Sequence, residues 1–124
     1  MRYLTRILGM AFALGVLAGC EDDRTDVHAE AIGNSDIGAV RIQQAGGGSC
    51  HIIPGIRNAD GLVGPPLNHM GRRIFIAGLL RNTPGNMVTW LRDPQRIVPG
   101  NAMPDMGLTE QQAHDIATYL YTLD

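Results

Sequence analysis

Between residues 20 and 124 the chain keeps four aromatic side chains, Phe75, Trp90, Tyr119 and Tyr121, while running through long stretches of glycine and proline. A few large apolar groups must therefore close around a great deal of irregular backbone. Small domains have little surplus burial, and poorly packed ones need a staple. A disulfide is a weak candidate, because Cys20 ends a leader-like segment and leaves Cys50 alone. The composition thus invites a prosthetic group at the centre without identifying one.

Residues 1–19 read as an export signal. Arg2 and Arg6 give a basic start, Ile7 to Val16 is a short apolar run, and Leu17-Ala18-Gly19-Cys20 follows. The run is too short for a spanning helix. Its ending resembles the bacterial lipobox, in which the Cys is acylated and becomes the mature N-terminus. The plainer alternative is an ordinary secretory signal with a coincident Cys. On the lipobox reading, Cys20 holds the protein to the lipid bilayer of a bacterial cell, with its domain in the periplasm. Glu21-Asp22-Asp23 weakly resembles the acidic signals that keep such proteins on the inner membrane, and the choice between inner and outer membrane stays open. Residues 20–35 then form an acylated Cys and polar tether, with His28 a solvated part of it, and residues 36–124 form one domain.

The charge narrows the function classes. A formal net charge of −2 for 124 residues argues against a nucleic-acid partner. Every basic residue is Arg, so a lysine Schiff base is impossible. There is no nucleophile–base spacing, phosphate loop or zinc-type ligand set.

Helical signals come in short pieces. Ile37, Val40 and Ile42 form a weak stripe running into Gly46-Gly47-Gly48. Three glycines should end that helix, each costing about 1 kcal/mol relative to Ala. Residues 53–68 read as a long structured loop, and Ile74 to Ala77 as a buried apolar run of uncertain type. Thr83-Pro84 begins a second helix, with Met87, Trp90 and Leu91 on one face, and Pro94 stops it. Thr109 and Gln112 form a capping box for the last helix, where Ile116, Tyr119, Leu120 and Leu123 recur at helical spacing. No alternating strand pattern is present. The class expected is all-α, with three to four short helices and long Gly/Pro loops.

Ser49-Cys50-His51 carries the chemistry. A thiol beside an imidazole can add to a haem vinyl group while the ring reaches the iron. The usual attachment signal is C-x-x-C-H, and here its first Cys position is Gly47. A buried thiol next to a solvated His is the other reading of such a pair. A second candidate ligand changes the weighting. Met103 lies 103 − 51 = 52 residues after His51, on a loop bounded by Pro99 and Pro104 rather than on an apolar helix face. Haem electron carriers often pair His with a thioether. Met106 and Met70 are backup sulfurs. His69 and His114 read as surface groups, and Arg72 and Arg73 either neutralise haem propionates or lie on a solvated face.

With these residues in place the sequence resembles class I cytochrome c over most of residues 37–124. Gly64-Pro65-Pro66-Leu67 looks like the segment that follows the attachment site in that family. Trp90 to Pro94 is similar to its aromatic helix ending in Pro. Val98 to Met103 looks like its ligand loop, and Asp115 to Leu120 like its C-terminal helix. Ile53-Pro54-Gly55 and Phe75-Ile76-Ala77-Gly78 are closest to small bacterial members. The resemblance implies a cytochrome c-like fold around one haem c. His51 and Met103 would be axial ligands and Cys50 the single thioether residue. The Pro65 carbonyl would accept from the other His51 nitrogen, Trp90 would lie in the crevice, and Leu67 would be a pocket wall. The Ile42 face of the first helix would cross the Tyr119-Leu120 face of the last.

Gly47 departs from the family pattern and leaves three outcomes open: one thioether, haem held by ligation and packing alone, or no haem. The leading expectation is a membrane-anchored carrier of single electrons and not an enzyme, serving membrane redox complexes or soluble carriers. The alternatives are a haem-poor lipoprotein with a binding or assembly role, and a sensing or peroxidase-like protein with a labile Met103.

Overall fold

The computed structural model describes residues 33–124. The signal segment, Cys20, His28 and most of the tether lie outside the described residues. The described chain is mostly helical, with one small two-stranded sheet.

Helix α1 spans Ser35–Gln44, and the Asn34 side chain caps it by accepting from the N–H groups of Asp36 and Ile37. It ends before Gly46, whose φ of +75° is a left-handed conformation. The anticipated stripe is corrected in detail: Ile37 and Val40 are 44% and 51% exposed, while Gly38 and Ile42 are buried. The face at i and i+4 that meets the core includes a glycine, so hydropathy alone does not reveal it.

A single 3-10 turn over Gly47–Ser49 leads to Cys50 and His51. The following irregular stretch is strapped back on this turn by main-chain bonds from Gly61 to Gly48 at 3.0 Å, Gly64 to Cys50 at 2.8 Å and Leu67 to Ile52 at 2.8 Å. A 3-10 turn at Met70–Arg72 follows.

The apolar run at 74–77 is not a buried segment. Strands β1 (Phe75–Ile76) and β2 (Leu80–Arg81) pair antiparallel, with Phe75 opposite Arg81 and Ile76 opposite Leu80. Only Ile76 is buried, while Ile74 and Phe75 are 64% and 48% exposed. The turn between them holds both Ala77 and Gly78 at positive φ, the backbone hand that suits a tight hairpin.

Helix α2 spans Pro84–Arg92, with Thr83 as cap and Pro84 in the first turn. Asp93 ends it and also caps α3, Pro94–Ile97, by accepting from the Arg96 N–H at 2.9 Å. Pro94 therefore stops one helix and starts another, because a residue without an N–H suits a first turn.

Helix α4 spans Glu110–Tyr121 and carries the expected Thr109–Gln112 capping box. It packs across α1 and against α2. The α1–α4 crossing is close: a Cβ on Gly38 would stand 2.1 Å from the Asp115 carbonyl oxygen and 3.0 Å from Tyr119 Cβ. Buried Asp115 fixes the same crossing, its carboxylate accepting from the Asn34 N–H at 2.9 Å and the Gln111 amide at 3.1 Å. Ile42, Ile53, Met87, Leu91, Ile116 and Leu120 are core residues, and all of them also border a hollow at the centre.

Candidate cofactor site

That hollow is a cavity of about 480 Å³, in the range of small-molecule sites. Cys50, His51, Pro65, Leu67, Trp90 and Met103 all line it. The structure thus gathers the six residues singled out for cofactor contact into one lining, together with Gly47, Met70, Met87 and Met106.

His51 is half-buried, and its orientation is set by its neighbours. Its Nδ1 lies 2.7 Å from the Pro65 carbonyl oxygen. A carbonyl only accepts, so Nδ1 carries a proton, and in the neutral ring the lone pair is then on Nε2. Residue 64 has to be glycine here, because a Cβ would stand 2.2 Å from His51 Cε1. The Gly64-Pro65 pair therefore presents both the space and the acceptor that hold the ring.

Cys50 is free and half-buried at the cavity edge, its Sγ 3.9 Å from Ser49 Oγ. Gly47 lines the same wall in ordinary backbone conformation. A Cβ there would meet Ile42 Cγ2 at 3.2 Å and Ile53 Cδ1 at 3.6 Å, a tight but passable fit.

Met103 is half-buried on irregular chain after α3, and Trp90 is half-buried on α2. Sequence reasoning missed Gln95. This α3 side chain donates to the carbonyls of Asn101 at 3.0 Å and Met103 at 2.7 Å, and accepts from the Gly100 N–H at 3.0 Å. Its only sequence signal was a polar residue directly after a helix-starting Pro.

Arg73 is the sole permanent charge in the lining, and it makes no ion pair among the described residues. Its guanidinium donates to the carbonyls of Pro66 at 2.5 Å and Asn68 at 2.9 Å. Arg72 is exposed. His69 is exposed, with a φ of +57°. His114 departs from the surface reading: it is half-buried, its Nδ1 has no hydrogen-bond partner among the described residues, and its Nε2 lies 4.0 Å from Glu110.

A second, larger hollow of about 740 Å³ runs along α2, α3 and the start of α4. It is open and of mixed charge, bordered by the pairs Arg92–Glu110 at 3.7 Å and Arg96–Asp93 at 3.3 Å. None of the six residues borders it, so its size does not make it the site.

The donor set of the central cavity is one imidazole and one thiol with thioethers. Among the described residues no three His, Cys, Asp or Glu side chains gather to hold a metal ion. A protein-held zinc ion takes about three or four such side chains. One imidazole and a thioether match instead a metal that brings its own equatorial ligands, as a porphyrin iron does. The hollow of about 480 Å³ is apolar with one guanidinium in its lining, which is compatible with such a group. Among the described residues no helix is long and apolar enough to cross a membrane.

Comparison with known proteins gives a limited kinship. No family model matches the chain, and neither does any solved structure. It is similar to cytochrome c oxidase subunit 2 of Alkalihalophilus pseudofirmus, 36% identical over 75 residues, or 60% of this chain and 21% of that protein. It is also similar to cytochrome c oxidase subunit 2 of Bacillus sp. strain PS3, 37% identical over 78 residues, or 60% of this chain and 22% of that protein. The chain spans about a fifth of the length of these curated relatives.

Proposed function

We propose that this protein is a membrane-anchored electron-transfer domain carrying one haem c. The observation that carries the reading is the convergence of Cys50, His51 and Met103 on one apolar cavity, with the His51 ring already turned so that Nε2 is free. The relatives support the coarser part, since both are named as subunits of cytochrome c oxidase.

In this reading His51 and Met103 would hold the iron and Cys50 would form the one thioether that Gly47 leaves possible. Haem supplies a reversible one-electron couple when bound. The protein's own residues do the rest. The Pro65 carbonyl fixes the imidazole tautomer and the orientation of the ring. Leu67, Trp90 and the α4 residues Ile116 and Leu120 keep water from the crevice, which tunes the potential. Arg73 offers a positive charge to the carboxylates such a group carries. With His51 and Met103 both given to the iron, no position would be left there for substrate, so the domain would act as a carrier and not itself as an enzyme. Cys20 acylation would hold the domain at the periplasmic face of a membrane, where redox complexes are met through small transient interfaces.

The test is to export the full chain from a host that attaches haem, then read the intact mass after acid–acetone treatment and the pyridine spectrum. One retained haem, with a band between those of ordinary b and c haem, is expected. His51→Ala or Met103→Ala should change the native spectrum. Colourless protein under ample haem supply would overturn the reading and return the haem-poor alternative. A spectrum indifferent to both substitutions would overturn the ligand assignment.

A further inference from the structure

Four methionines border the central cavity: Met70, Met87, Met103 and Met106. Met70 and Met87 are buried parts of the core. Met103 and Met106 are both half-buried and lie three positions apart on one irregular stretch between α3 and α4. Residue type, exposure and location do not choose between their sulfurs.

The main chain does. The Met103 carbonyl accepts from Gln95 Nε2 at 2.7 Å, and the Met103 N–H donates to Asn101 Oδ1 at 2.7 Å. Asn101 is itself fixed, its Nδ2 donating to the carbonyls of Pro94 at 3.0 Å and Val98 at 2.7 Å, and its own carbonyl accepting from Gln95. One α3 side chain thus ties residues 100, 101 and 103 to the body of the domain. Around Met106 the comparable hold is local: Asp105 Oδ1 accepts from the Gly107 N–H at 2.8 Å, and Gly107 sits at a φ of +63°. That bond closes a turn without fastening it to another element.

Resting on the reading proposed above, we infer that Gln95 is a positioning residue that selects Met103 over Met106 as the thioether at the iron, and that Met106 takes the position when the clamp is released. A sulfur whose backbone is already fixed to another element loses little conformational freedom on ligation, whereas one whose backbone is held only by a local turn loses more. Without Gln95 that advantage disappears and the two sulfurs, on one short tether beside one cavity, compete.

The experiment uses the haem-loaded full chain in its reduced form, with methyl-labelled methionine. A methyl held against the haem plane is moved far upfield by the ring current, which identifies the ligating Met. Wild type should show one such signal, absent from Met103→Leu and retained in Met106→Leu. Gln95→Ala and the nearly isosteric Gln95→Glu, which keeps the acceptor for Gly100 but loses both donors, should show a second upfield methyl. That signal should vanish when Met106→Leu is added to Gln95→Ala. Added imidazole should displace the thioether at about tenfold lower concentration in both Gln95 variants, as the ligated population falls. If both variants keep the Met103 signal alone with wild-type imidazole response, or lose every shifted methyl while Met106 is intact, the inference is overturned. A haem-loaded wild type with no shifted methyl would instead remove the His51/Met103 reading, and the inference with it.

Discussion

Gly64 lies against the ring of His51 so closely that a side chain at residue 64 would overlap it: Cβ would fall 2.2 Å from Cε1 and 2.6 Å from Nδ1. The contact is possible because the strap from Gly61 to Leu67 is bonded to the main chain of residues 48–52 and cannot drift away. Gly64→Ala must therefore push the imidazole off the Pro65 carbonyl or break the strap. Overpacking of this kind costs about 1–3 kcal/mol. Urea unfolding should show that loss, and the loaded protein should show weaker haem retention.

Gly47→Cys should restore a second attachment point. The position lines the cavity in ordinary backbone conformation, and its nearest obstacle is the Ile42 Cγ2 methyl at 3.2 Å, which must give by a few tenths of an ångström. On the proposed reading the exported variant is expected to carry one haem, with its pyridine band moved from the single-thioether position to that of a two-thioether haem. A band left at the wild-type position would show that residue 47 is not aimed at the group.

Tyr121 reports on alkaline stability. Its hydroxyl donates to Asn82 Oδ1 at 3.0 Å, and Asn82 in turn donates to the carbonyls of Met70 and Arg73, each at 2.8 Å. Burial pushes the Tyr121 phenol up to about 12, from 10.0. The folded state thus favours the neutral phenol. That stability is whole below pH 10 and is lost as pH climbs toward 12, because the unfolded chain releases its proton first. Tyr121→Phe should flatten the fall between pH 10 and 12 in denaturant titrations. At neutral pH the same change leaves Asn82 short of a partner, at a cost of about 1–3 kcal/mol.

Gly38→Ala sets two effects against each other. Replacing a glycine inside a helix by alanine ordinarily stabilises by about 1 kcal/mol. Here the new methyl would stand 2.1 Å from the Asp115 carbonyl oxygen. Backbone on backbone cannot yield without separating α1 from α4, so the clash wins. A net loss of about 2 kcal/mol or more is expected in thermal or urea unfolding, along with strain on the Asn34–Asp115 bond. An unchanged midpoint would mean that the two helices can slide.

Local chemistry was the part legible in advance. Thr83-Pro84 and the Thr109–Gln112 box mark helix starts because capping is satisfied within four residues and needs no distant partner. Less was visible in α1, where the core-facing residue Gly38 has no side chain to announce itself and the apolar Ile37 and Val40 face outward. The run from Ile74 to Ala77 misled for a related reason. Its hydrophobicity is that of a buried segment, but a strand of two residues buries only one of them, here Ile76.

The amino-acid order by itself determined the short helices, the long loops and the residue types able to hold a cofactor: one thiol beside one imidazole, and sulfurs far down the chain. Those are properties of neighbours along the backbone. Only the tertiary structure decided that these residues border one hollow, that His51 turns its Nδ1 to Pro65, and that Gln95 grips the Met103 loop while Met106 lies beside it. Such choices rest on hydrogen bonds and close approaches between segments distant in sequence, and these become definite only once α1 has crossed α4 and the loops have closed around them.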